Sequence, residues 1–189
     1  MPVREQLLGI IREGGAHNMG MLPVSGLKFE PSFRELCKAN TCRNYGKFYT
    51  CPPAAGGIDD LIAQAKSYRD AILYQTVWPL EDSFDAEGMA EAGRMHYDIA
   101  QRIAAALPRN EGILHLATGG CRLCRECALV HEEPCIYPEQ ALTSMSAYGI
   151  HVSSAAKLAG LKYINGTNTV TFFGMVFWGK ADDTASPAI

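Results

Sequence analysis

The sequence predicts an α/β or α+β fold, with a small sheet, flanking helices and two cysteine-rich ligand loops. Three observations carry this. Helical periodicity recurs near the N-terminus, in IDDLIAQAKSY and across a long central stretch. Apolar, β-prone runs occur as DAILYQTVW, GILHLAT and NTVTFFGMVFW. The seven cysteines fall into two groups within turn-rich segments. A chain of 189 residues, 48% of them hydrophobic, suits one domain with its own core. Residues 1–189 are therefore read as a single domain with a frayed tail from about Lys180.

In order along the chain, Val3, Leu7, Leu8 and Ile11 share a helical face, and Gly14-Gly15 supplies a stop. MLPVSGLKF reads as an extended segment interrupted by Pro23 and Gly26. Pro31, Ser32 and Glu35 resemble a helix start with a capping box, and that short helix carries Cys37. The Gly-, Pro-, Asn- and Tyr-rich segment from Cys42 to Gly57 reads as a loop. A helix over IDDLIAQAKSY precedes the DAILYQTVW strand. A long helix then runs from roughly Phe84 to Leu107, with Met95, Ile99, Ile103 and Ala106 at helical spacing. With GILHLAT this makes a strand, crossover helix and strand from Ala71 to Thr118 whose two strands can lie parallel. The second cysteine group follows directly, at the carboxyl end of a strand, where open α/β sheets often build sites. PEQALTSMSAYG and SSAAKLAG suit two short helices, and NTVTFFGMVFW a final strand.

Composition excludes several classes. The net charge of −3 offers no cationic excess for phosphate, so no nucleic-acid partner is expected. MPVREQLLGIIREGG breaks its apolar pattern with charges, so neither a signal peptide nor a membrane span is indicated, and a cytoplasmic location is expected. An odd number of grouped cysteines argues for metal or redox chemistry rather than a secreted disulfide framework, and points to a reducing or anaerobic setting.

Cys121, Cys124 and Cys127 are spaced CxxCxxC, and Cys135 follows after HEEP. Three closely spaced thiolates can wrap three corners of a 4Fe-4S cubane while a fourth cysteine supplies the last corner, and Gly119 and Gly120 ease the turn. In bacterial ferredoxins the third-to-fourth interval is shorter and ends in CP, whereas here it ends in CIYP. Four thiolates also satisfy a tetrahedral zinc ion, which is the alternative. The first group, Cys37, Cys42 and Cys51 in CKANTCRNYGKFYTCPP, offers three thiolates and permits a second cluster with one non-cysteine corner. Zinc binding or simple burial is the other reading of that trio. Cys135 can close its own loop or cross to the first group; either partition gives seven thiolates for eight iron corners.

His131, between two ligand cysteines, is a candidate fourth ligand or proton donor, against the plainer reading of a solvated loop histidine. His17, His96, His115 and His151 show no paired ligand spacing and suit surface or satisfied-core roles. Tyr45 and Tyr49 are candidates to pack over the first site, or to serve as aromatic core. GGC lacks the glycine pattern and context of a phosphate loop.

The ordered blocks CKANTCRNYGKFYTCPP, GGCRLCRECALVHEEPCIYP, SMSAYGIHV and NTVTFFGMVFW resemble the predicted metal-binding proteins called domain of unknown function 2284, over about Cys37 to Gly179. The resemblance implies a cysteine-rich metal-binding protein of iron–sulfur type, found mainly in anaerobic bacteria and archaea. It implies ligand roles for Cys37, Cys42, Cys51, Cys121, Cys124, Cys127 and Cys135. Ser146 stands where family members often carry an acidic residue. The leading functional expectation is a cytosolic iron–sulfur protein with two 4Fe-4S clusters, one with an open coordination site, acting in electron transfer or small-ligand redox chemistry. Its partner is a redox partner or small molecule. An enzyme would use the open iron as a Lewis acid or sulfur acceptor. The alternative is a structural zinc or interaction module.

Overall fold

The computed structural model describes residues 3–109 and 112–180. Its axis is the pairing of two twelve-residue strands, β2 (Tyr68–Pro79) and β4 (Thr169–Lys180), which run antiparallel in register from Tyr68↔Lys180 to Pro79↔Thr169. Both are apolar on two faces because both faces are covered. On β2, Ala71 and Leu73 enter one core while Ile72 and Tyr74 enter the other, as the two-residue period of a strand requires. β1 (Asn18–Pro23) lines the outer edge of β2, and β3 (Ile113–Leu116) the outer edge of β4, giving the order β1-β2-β4-β3 with every neighbouring pair antiparallel.

Helix α1 (Val3–Glu13) buries Leu7 and Ile11, and α4 (Ala86–Ala106) buries Ile99 and Ile103, against the Ile72, Tyr74, Val176 and Trp178 face. Asp85 caps α4, accepting from the Gly88 N–H at 2.8 Å. Opposite lie α3 (Ile58–Lys66), with Leu61 and Ala65, and α5 (Val152–Leu158), with Ala155 and Ala156; both pack toward Leu73, Met175 and Phe177. The carboxyl end of α5 sits hard on β1, where any Cβ at Gly20 would collide with the Ala159 carbonyl. α2 (Phe33–Lys38) is a single exposed helical segment tied to the body through Arg34, which donates to the Gly56 carbonyl at 2.8 Å.

The fold is α+β, with the expected small sheet and flanking helices. Three details differ from the sequence reading. β2 and β3 do run in the same direction, but β4, the last strand in the chain, inserts between them. Residues 138–149 form turns, not a helix. There the chain bridges back to β3, the Ala117 N–H donating to the Thr143 carbonyl at 2.9 Å and the Met145 N–H to the Ala117 carbonyl at 3.1 Å, which takes the backbone groups a helix would use. Ser32 has helical backbone angles and its side chain caps nothing, so the capping box does not form. The tail expected to fray beyond Lys180 lies outside the described residues.

Candidate metal centre

Two loops meet beside the carboxyl end of β3. The first leaves α2 with Cys37 on its last turn and runs to Gly57. Asn40 and Arg43 take positive φ, 55° and 61°, and the Asn40 side chain accepts from the Tyr45 N–H at 3.0 Å. Gly46 donates to the Pro52 carbonyl at 2.9 Å, folding Cys51 inward, and the Pro52–Pro53 peptide is cis. Cys51 is consequently buried at 7% exposure, whereas Cys42 is exposed. The second loop turns through Gly119, at φ +77°, and carries Cys121, Cys124 and Cys127 into a short 3-10 turn at Ala128–His131 that the sequence reading missed. Glu132 ends that turn at φ 58° and sends the chain back to Cys135.

The loops are in contact. A Cβ at Gly120 would press on the Asn44 and Phe48 side chains, and the Tyr49 hydroxyl donates to the Glu133 carbonyl at 2.7 Å. Cys121, Cys124, Cys127 and Cys135 line a single cavity whose other walls include Phe48, Leu123, Ala128 and Ile136. The cavity is only about 10 Å³, room for one water. The structure thus brings Cys135 together with its own loop, and it places Cys37, Cys42 and Cys51 near one another, with Cys51 also beside Cys121.

Crowding is written into the thiol electrostatics. Burial, then the neighbouring Cys42, Cys37 and Cys121, pushes the Cys51 thiol up to about 11. Burial and Cys42 raise Cys37 against the opposing Arg34 guanidinium. Cys124 is raised by slight burial and by Cys121, Cys127 and Cys135. Such a group is disfavoured as thiolates unless positive charge arrives among them, which is what a metal supplies. The donor chemistry of soft thiols in an apolar cradle fits a thiophilic metal centre. Among the described residues no three His, Cys, Asp or Glu side chains converge to hold a single ion, although the four cysteines of the second loop line one cavity. Admitting a polynuclear centre requires the turn-built loops to move outward.

The remaining candidates sort themselves. His131 is exposed and pairs with Glu126 at 3.0 Å, away from the cavity lining. His17 accepts from the Val77 N–H at 3.0 Å, and His151 caps α5. His96 and His115 lie in the sheet core. Tyr49 reaches across to the second loop rather than covering the first site alone. Ser146 lines a different cleft, with Thr118 and Gly119. The sequence reading overlooked Phe48, which walls the cavity, and Tyr97 of α4, whose hydroxyl stands 3.7 Å from Cys121 Sγ. Only the i, i+4 pair Tyr97 and Gln101, polar-tipped residues on a helix beside the ligand loop, signals the latter in the sequence.

Fold and site together define a small α+β protein whose seven cysteines sit at the end of α2 and on two touching loops. The chain belongs to the family of predicted metal-binding proteins described as domain of unknown function 2284, which matches residues 20–178. No curated protein and no solved structure matches it. Among the described residues no helix is long and apolar enough to cross a membrane.

Proposed function

We propose that the chain is a cytoplasmic iron–sulfur protein of redox function in which Cys121, Cys124, Cys127 and Cys135 hold one 4Fe-4S cluster and Cys37, Cys42 and Cys51 hold a second. The observation that carries this reading is the arrangement of four thiols around one apolar-walled cavity. Three cysteines at consecutive two-residue spacing, with a fourth lining the same cavity, suit the corners of a cubane better than one tetrahedral zinc ion. With Cys135 in its own loop, the three-thiol site is the one with an open corner, and Cys42 there is exposed. Cys37, Cys42 and Cys51 would leave one iron of their cluster without a thiolate, a position where a small ligand can bind, and the four thiols of the second loop would hold a closed cluster suited to electron exchange. The proximity of Cys51 to Cys121 supports exchange between the two. The physiological partner is then a redox partner or a small ligand of the open corner.

Anaerobic purification with iron, acid-labile sulfide and zinc analysis tests the assignment. About eight irons and eight sulfides per chain are expected from two four-iron clusters; zinc without sulfide would establish the structural alternative instead. Cys124→Ser is expected to remove the absorption of one cluster and Cys42→Ser that of the other. Loss of one common signal in both variants contradicts two separate centres.

A further inference from the structure

Tyr97 is 6% exposed on α4, at the boundary between the Cys121 thiol and an open cleft of about 620 Å³ that it lines with Arg122 and Arg125. Its hydroxyl oxygen is 3.7 Å from Cys121 Sγ, a contact in which either atom can be the donor. The surrounding hydrogen bonds decide the direction. Gln101 Nε2 is 3.1 Å from the carbonyl oxygen of Gln140, and a carbonyl can only accept, so the amide nitrogen of Gln101 is fixed at that end. The same NH2 group lies 3.0 Å from the Tyr97 oxygen and must donate to it. The phenol oxygen is thereby an acceptor from Gln101, and because a metal-bound Cys121 sulfur carries no hydrogen, the Tyr97 O–H is the donor of the 3.7 Å contact.

We infer that Tyr97 is a positioning residue for the metal centre: it donates an O–H hydrogen bond to Cys121 Sγ and is itself oriented by Gln101 and the Gln140 carbonyl. The chain Gln140, Gln101, Tyr97, Cys121 joins the two ends of the ligand loop through one turn of α4. This rests on Cys121 being a metal ligand, and for its redox consequence on the cluster reading above. A hydrogen bond withdraws electron density from a coordinating sulfur and favours the reduced, more negative state of the centre, so it raises the reduction potential. A phenol buried to this extent is a fixed donor, unlike solvent.

The test is Tyr97→Phe, which keeps the ring and deletes only the donor. In the reconstituted protein, iron and sulfide content should match wild type while the midpoint potential of one cluster moves negative and that of the other stays. An unchanged midpoint at full iron content overturns the proposal. Wild-type protein that takes up no sulfide refutes the cluster reading alone, and the hydrogen bond is then read in protein loaded with Co(II). There the thiolate-to-cobalt absorption should shift to longer wavelength in Tyr97→Phe, because the sulfur becomes the better electron donor; no shift overturns the inference. Should Tyr97→Phe fail to fold, Gln101→Leu retains the phenol and releases its orientation. It is expected to move the same signal in the same direction by a smaller amount, and an unmoved or opposite signal counts against the relay.

Discussion

Gly174 shows how one residue can be dictated by another far away in sequence. It faces Tyr74 across the β2–β4 pair, and any Cβ at position 174 would run into the Tyr74 ring, which lies across that place in the sheet. Tyr74 is fully buried and its hydroxyl is 2.9 Å from His115 Nε2, so it has little freedom to withdraw. Gly174→Ala is therefore expected to destabilise the protein by about 1–3 kcal/mol, the cost of overpacking a filled core, seen as a lower urea midpoint with unchanged metal content. A substitution without effect would mean that the ring has room to turn. In the sequence this glycine interrupts an otherwise apolar strand, and only the register reveals what fills the gap.

At the scale of elements, the regular pieces were legible because their periodicity is set by burial: α1, α3, α4 and the three long β-prone runs emerge where the sequence places them. Positions such as Ile99 and Ile103 announce the buried face of α4, although Ala106 of the same series is exposed. Two features were hidden. The insertion of β4 between β2 and β3 depends on which strand fits between two others, a long-range choice that no local pattern carries. The turns of residues 138–149 answer to the Ala117 backbone, while local composition alone favoured a helix. The cysteine spacing divided the thiols into two groups and left the place of Cys135 open; the meeting of the two loops through Tyr49 and Glu133 is tertiary and no spacing carries it. Both loops consist of turns with few ladder hydrogen bonds, so a metal should do much of their ordering. Stripping metal with a chelator under reducing conditions is expected to accelerate amide exchange in residues 37–57 and 119–141 by at least an order of magnitude, leaving β2 and β4 protected. Equal acceleration throughout would show that metal holds the whole fold; no acceleration would show loops already ordered without it.

For the whole molecule, the sheet core itself sets a pH limit independent of the thiols. Tyr74 lies between the buried His96 and the partly exposed His115, with ring centroids 5.9 Å from His96 and 5.8 Å from His115, and His96 Nδ1 is 2.9 Å from Thr76 Oγ1. Burial brings His96 down to about 4, and burial with the nearby His96 brings His115 down to about 3. Both are therefore neutral in the folded protein at pH values where an unfolded histidine, near 6.5, is already protonated. The unfolded state then binds more protons than the folded state, so stability is complete above about pH 6.5 and declines as pH falls toward about 4, where each histidine has cost up to about 3 kcal/mol. Urea midpoints measured from pH 7.5 to 4.5 should fall accordingly. His115→Phe keeps an aromatic ring against Tyr74 and removes one titrating group. It is expected to be less stable at pH 7.5, through loss of the hydrogen bond, and yet to show a shallower acid slope by about 1.4 kcal/mol per pH unit, one proton's worth. An acid slope identical to wild type would assign the pH limit to the carboxylates instead of to this pair.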